Sequence, residues 1–334
     1  MTAPSHDARY DVLAVGNALV DVIATADAPW LAANAIPKGS MRLIAADEAE
    51  RLYTLMGPGR EVSGGSAANT VAGIAAMGGR PAFVGRVAPD QLGEVFAHDI
   101  RAAGVAFTTP PMADGPPTGR CLIFVTPDGD RTMSTYLGAC QELSEADIDA
   151  DTVRASAVLY LEGYLWDPVA PRAAMRKAIE IARAAGRKVA FTLSDVFCVE
   201  GHRDDFKALL GSHVDVMFGN EHEVCALYQT RDLDAAMAEL ARHAAIAVVT
   251  RSEKGAVVLA GGERHVVAAE PASAVVDSTG AGDLFAAGFL AGLVAGRSLP
   301  DCARQGGIAA AEIIAHYGAR SERDLKALVA QRLG

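Results

Sequence analysis

Short apolar runs that stop at a glycine alternate along this chain with apolar residues spaced three and four apart. "YDVLAVG" (10–16) opens the series and reads as a buried strand. "SAANTVAGIAAMGG" (66–79) has a helical rhythm and a glycine stop; "PAFVGRV" reads as the next strand and "GEVFAHDIRAAGV" as the next helix. "AVLYLEG", "KVAFTLS", "VDVMFGN" and "IAVVTRS" read as further strands, and "PRAAMRKAIEIARAAG", "LDAAMAELARHA" and the segment after Asp283 as helices. Such alternation predicts an α/β core in which a parallel sheet is covered on both faces.

Two segments break the rhythm. Residues 16–44 carry period-two fragments and turn residues, and residues 119–138 place two alternating strands around "PDGD", a hairpin signal. Both are expected in a small β lid (17–44 and 108–139) set into a core of 1–16, 45–107 and 140–334. Gly and Pro are scattered and form no linker, so one core with a lid is expected rather than two independent domains.

Composition narrows the function classes. Of 334 residues, 51% are hydrophobic and 21% charged, enough for a sizeable core and too apolar for disorder. Thirty Lys and Arg against 41 Asp and Glu give a net charge of −11. No basic stripe appears, which argues against nucleic acid as a partner. The five cysteines (Cys121, Cys140, Cys198, Cys225, Cys302) form no CxxC pair, so reduced thiols in a cytoplasm are expected. "MTAPSHDARY" has no apolar signal region, and the greasiest stretch, 284–296, is too short for a bilayer; no membrane partner is expected.

Four stretches carry candidate chemistry. In "DSTGAGDLFAAG", Gly280, Ala281 and Gly282 can turn tightly at a helix start, where free N–H groups and the positive dipole end favour an anion. Asp283 follows in the first turn; it either accepts a proton or merely stabilises the helix start. In "VSGGSAANTVAG", Gly64 and Gly65 allow close backbone approach, and Asn69 suits a vicinal diol or an ordinary cap. In "GNALVD", Asp21 can accept two sugar hydroxyls or be a turn residue, with Asn17 beside it. In "GNEHEV", Asn220 and Glu223 can serve nucleotide phosphates and magnesium-bound water, or a solvated helix start. There is no GxxxxGK[ST] loop, no GxGxxG after the first strand and no GxSxG elbow; a P-loop NTPase, a dinucleotide-binding dehydrogenase and a serine hydrolase are disfavoured.

The order and spacing of these motifs resemble the ribokinase-like (PfkB) family of sugar and nucleoside kinases over essentially the whole chain. "GGSAANTVAGIAAMGG" looks like its N-terminal signature and "DSTGAGDLFAAGF" like its C-terminal one. The resemblance implies a three-layer α/β/α core with a β lid, and transfer of phosphate from ATP, with Mg2+, to a primary hydroxyl. It casts Asp283 as the base, Gly280–Ala281–Gly282 as the anion hole, Asn17, Asp21, Gly64, Gly65 and Asn69 as sugar contacts, and Asn220 and Glu223 as nucleotide and magnesium contacts. "TRSEKGA" resembles the strand-end loop beside ATP, placing Thr250, Ser252 and Gly255 there, although a glycine common in that loop is Ser252 here.

Within the family, "GNALVD", "KGSMRLI", "DRTMSTYLGA", "EGYLWDP" and "TLSDVFCV" look most like bacterial adenosine kinases. That likeness places Tyr136, Leu137, Tyr164, Trp166 and Phe197 at the base or in core packing, and lets Arg131 clamp phosphates. A kinase of a free sugar, or of guanosine or inosine, is the nearest alternative; a silent nucleotide-binding regulator is a further one. Asp277 resembles a potassium-site position, but "GARSERD" departs from the ribokinase pattern. Monomer and homodimer both remain open.

Overall fold

The computed structural model describes residues 8–334. A large sheet is built from β1 (Tyr10–Val15), and a small one begins with β2 (Leu19–Thr25), β3 (Met41–Leu43) and β4 (Arg60–Gly64). β5 (Pro81–Val84) and β6 (Ala106–Phe107) return to the large sheet, and β7 (Gly119–Val125) and β8 (Arg131–Tyr136) complete the small one. The large sheet then grows through β9 (Ser156–Glu162), β10 (Lys188–Thr192), β11 (Val216–Asn220), β12 (Ile246–Thr250), β13 (Ala256–Ala260) and β14 (Glu263–Val267).

The large sheet runs β14-β13-β12-β11-β10-β9-β1-β5-β6. It is parallel from β12 to β6, and β13 and β14 add antiparallel strands at one edge. Helices cover both faces, so the parallel strands have no polar face to show; every residue of β9 is buried. The expected α/β core with a mainly parallel sheet is therefore found. The antiparallel edge hairpin was not anticipated: "AVVLA" reads like any buried strand, and only the glycine pair Gly261–Gly262 between β13 and β14 marks the turn.

The small sheet runs β3-β8-β7-β2-β4. Residues 60–64, expected in the core, pair antiparallel with β2 and belong to it. One face packs under the helix Ala46–Leu55 and carries Phe124 against Trp30 at 4.9 Å between ring centroids. The opposite face, reached by period-two alternation, presents Asp21, Cys121, Ile123, Met133 and Thr135 to a cleft. That cleft lies where β1, β9, β10, β11 and β12 end, since Asn17, Glu162, Thr192, Asn220 and Thr250 all line it. Ligand sites of open α/β sheets occupy this carboxyl-end position.

Candidate active site

The cleft encloses about 640 Å3 between the large sheet's strand ends and the inner face of the small sheet. One wall is the start of the apolar helix Ala281–Val294. Gly280 caps it in the left-handed region (φ 78), and a side chain there would put its Cβ 2.7 Å from that of Ala319. The Ala281 N–H turns back onto Ser278 O (3.2 Å), so that member of the glycine turn is spent internally. Among the described residues, no acceptor is found for the N–H groups of Gly280, Gly282 and Asp283. Two members of the expected Gly280–Ala281–Gly282 set are thus open, and the Asp283 N–H is open where that of Ala281 is not.

Asp283, in the first turn of this helix, lines the same cleft. Ser66 Oγ donates to its Oδ1 at 2.6 Å, and Asn69 Nδ2 donates to its Oδ2 at 3.0 Å. Both partners come from the first turn of the helix Ser66–Ala76, which the diglycine turn delivers to the cleft. Burial raises the Asp283 carboxyl above its ordinary value, while the Ser66 and Asn69 hydrogen bonds and the Arg320 charge pull it back. Both hydrogen-bond partners of the Asp283 carboxylate are thus on another helix rather than its own.

Asp21 projects from β2 into the same cleft, only 9% exposed, and no hydrogen-bond partner is found for it among the described residues. Burial holds its carboxyl up at about 6, against the lowering fields of Arg320 and Arg131. Gly64 explains how it fits: a Cβ there would lie 2.4 Å from the Asp21 carboxyl. Asn17 lines the cleft and is locked by Glu162, whose Oε1 accepts from Asn17 N (2.8 Å) and Nδ2 (2.6 Å). The other oxygen of Glu162 accepts from Ala67 N at 2.7 Å. Gly65 also lines the cleft.

The aromatic expectations divide. Tyr164 and Phe197 line the cleft together, 5.9 Å apart and tilted by 44°, and Phe197 is 46% exposed. Leu137 joins them from the small sheet. Tyr136 does not: Met133, Thr135 and Leu137 share the inner face, and alternation sends Tyr136 outward. Trp166 is wholly buried, edge-on to Phe191 and Phe206, and its indole N–H donates to Asp205. It is a core residue.

At the far end of the cleft lie Asn220, Glu223 and Thr250. Asn220 and Glu223 form a reciprocal cap: Asn220 Oδ1 accepts from the N–H groups of His222 and Glu223 (2.9 Å each), and the Glu223 carboxylate accepts from Asn220 N at 3.0 Å and from its amide. Burial lifts the Glu223 carboxyl to about 7. Ser252 adopts φ 49, the left-handed backbone for which glycine is the ordinary choice. Ser252 and Gly255 do not line the cleft; Gly255 turns the chain where a Cβ would meet Val267 O at 2.1 Å.

Arg131 does not stand free for a phosphate. Its guanidinium pairs with Asp277 at 2.6 Å, both side chains being buried. The Asp277 carboxylate also accepts from Thr279 N and Gly318 N, each at 3.0 Å.

Residues 39–325 match the model of the pfkB family carbohydrate kinases. The chain belongs to that family. A crystal structure of adenosine kinase from Sinorhizobium meliloti is 53% identical, with a TM-score of 0.91 over 97% of this chain and 100% of that one. A probable sugar kinase from Rhizobium etli is 50% identical, with a TM-score of 0.92 over 97% and 99%. Adenosine kinase 1 of Arabidopsis thaliana is 26% identical over 94% of this chain and 96% of its own. The fold, the family and its phosphotransferase class agree with the sequence reading.

Three residues of this pfkB-family site were not singled out from sequence. Ser66 lay inside a quoted motif with no role given. Glu162 lay in "EGYLWDP", where only the aromatics drew notice. Arg320 lay in "GARSERD", and the departure of that stretch from the family pattern was the signal. Among the described residues, no cluster of His, Cys, Asp or Glu forms a metal cage, and no helix is long and apolar enough to cross a membrane.

Proposed function

We propose that this pfkB-family kinase transfers the terminal phosphoryl group of ATP to the 5′-hydroxyl of adenosine, giving ADP and AMP. The observation that carries this reading is Asp283, a carboxylate held by Ser66 and Asn69 directly at a helix start with open N–H donors. There it takes the hydroxyl proton, while Gly280, Gly282 and the Asp283 amide receive the phosphoryl oxygens. The unpartnered Asp21 carboxylate accepts the two ribose hydroxyls, with Asn17, Gly64, Gly65 and Asn69 around the ring. The exposed Phe197, with Tyr164 and Leu137, forms the flat apolar slot that a base needs and a free sugar does not.

Asn220, Glu223 and Thr250 face the nucleotide, with Ser252 and Gly255 shaping the loop behind them. The Glu223 oxygens are already engaged by Asn220, so Glu223 would hold Mg2+ through water rather than directly, and the ion would supply neutralisation of phosphate charge. The small sheet acts as the lid that excludes water, and Arg131 clamps phosphates after leaving Asp277. The unpaired thiols suit a reducing compartment, and we place the protein in the cytoplasm.

A free-sugar kinase is the second reading, favoured by the likeness to the Rhizobium etli protein. ADP release from Mg-ATP with adenosine, guanosine, inosine, ribose, fructose or no acceptor decides between them. Turnover with adenosine well above the rest supports the proposal. Turnover with ribose or fructose that an added purine does not improve sinks the base slot.

A further inference from the structure

The C-terminal stretch after the helix Leu299–Ile313 brings one arginine, Arg320, against Asn69 and Ser63 beside the Asp283 carboxylate. Arg320 Nη1 donates to Asn69 Oδ1 at 2.5 Å, and Nη2 donates to Ser63 Oγ at 2.7 Å and to Ser63 O. Ser63 in turn donates through its N–H (2.8 Å) and its hydroxyl (2.6 Å) to Asp99. Every proton in this chain has one possible direction. A guanidinium only donates, so the Asn69 atom facing it must be the carbonyl oxygen. The Asn69 NH2 is thereby turned to Asp283.

We propose that Arg320 is a positioning residue of the phosphoryl-transfer site, acting on Asp283 through the Asn69 amide and through its own charge. The proposal rests on the assignment of Asp283 as the base. Without Arg320, the Asn69 carbonyl loses its donor, and the amide is held toward Asp283 by the Nδ2 hydrogen bond with one restraint fewer. The carboxyl groups facing Asp283 make the second route strong: Asp21 approaches from β2 and Glu162 from β9, while the Tyr160 and Tyr164 phenols beside it are kept neutral by burial and bring no charge. Arg320 is the cation among these neighbours that lowers the proton affinity of Asp283.

The test compares wild type with Arg320→Met, Arg320→Gln and Arg320→Lys, using adenosine and Mg-ATP, with kcat followed across pH. Loss of the charge should move the acid limb of the profile upward by about half a pH unit or more in Met and Gln, and kcat at neutral pH should fall roughly tenfold or more. Lys, which keeps the charge and loses the fork, should restore the limb and recover part of kcat. An unmoved acid limb in both Met and Gln overturns the proposal. Should the Met variant melt at assay temperature, Gln against Lys carries the same comparison.

Asp283→Asn, alone and with Arg320→Gln, separates this idea from the reading beneath it. If Arg320 works through Asp283, the double variant turns over no more slowly than Asp283→Asn alone. Losses that multiply would show that Arg320 serves the scaffold instead, which overturns the proposal. Near-wild-type turnover in Asp283→Asn alone would remove the base assignment itself, whatever the arginine variants do.

Discussion

Two carboxylates in one cleft have different surroundings, and the proposed reading gives them different duties. Asp283 has two hydrogen-bond donors and a helix start; Asp21 has neither. Asp283→Ala is expected to lose roughly 10²–10⁴-fold in turnover with unchanged melting, the range of a general acid–base group. Turnover within threefold or so of wild type would refute the assignment. Asp21 makes a prediction about pH. Its carboxyl, lifted to about 6 by burial, is charged above that pH and neutral below it. Only the charged form accepts two hydroxyls, so adenosine affinity should weaken as pH falls through 6, by up to about tenfold per unit. Its effect on stability has the opposite sign. The folded pKa lies above the unfolded one, so the native state holds more protons between about 4 and 6, and this group's contribution to stability falls as pH rises through that window. Calorimetry and melting curves of wild type and Asp21→Asn would show both trends or neither: the variant should bind weakly and independently of pH, and its ligand-free form should melt higher at neutral pH.

Single elements show which parts of the chain were readable from sequence. β9 and the helix Ser66–Ala76 announced themselves because a strand covered on both faces and a helix packed on a sheet leave unbroken apolar patterns. The motif residues Asp283, Asp21, Asn69 and Gly64 were legible because their spacing within each element is local. Contacts between elements were not. Nothing near Tyr136 states which face of β8 looks inward, and a slip of one position decides it. Trp166 and Tyr164 lie two residues apart, yet one is entombed beside Phe191 and Phe206 while the other lines the cleft. Residues 60–64 fall within the stretch assigned to the core, and only their pairing with β2 puts them in the small sheet. The same contrast gives a prediction. Trp166→Ala should cost stability, about 3–5 kcal/mol by cavity formation. Phe197→Ala, on an exposed ring, should leave melting nearly unchanged and weaken adenosine binding, about 1–3 kcal/mol by loss of stacking area. Denaturant unfolding and calorimetry on the pair check this; a Phe197→Ala protein that binds adenosine as wild type does would exclude Phe197 from the base slot.

At the scale of the whole molecule, two sheets meet over one cleft, and a buried ion pair ties Arg131 of the small sheet to Asp277, in the segment leading into the helix Ala281–Val294. A potassium ion at Asp277 would compete with that guanidinium and with two backbone N–H groups already on the carboxylate. Initial rates are therefore expected to be equal, within about twofold, in potassium, sodium and choline salts at matched ionic strength. A stimulation by potassium alone of tenfold or so would mean that the ion displaces Arg131.

The bare carboxylate of Asp21 has a consequence for the life of the protein in a cell. A buried carboxylate without hydrogen-bond donors costs stability, and on the proposed reading the acceptor's hydroxyls would supply those donors. A ligand that binds only the folded form, present at a hundred times its dissociation constant, adds about 2.7 kcal/mol to folding. Chains waiting for acceptor are thus the ones most often open to proteases, and chains in use are protected. The pool of this kinase would then follow the supply of its acceptor without any regulator. Half-lives measured after a block of protein synthesis, with and without added adenosine, should lengthen with the nucleoside, and equal half-lives would dismiss the link.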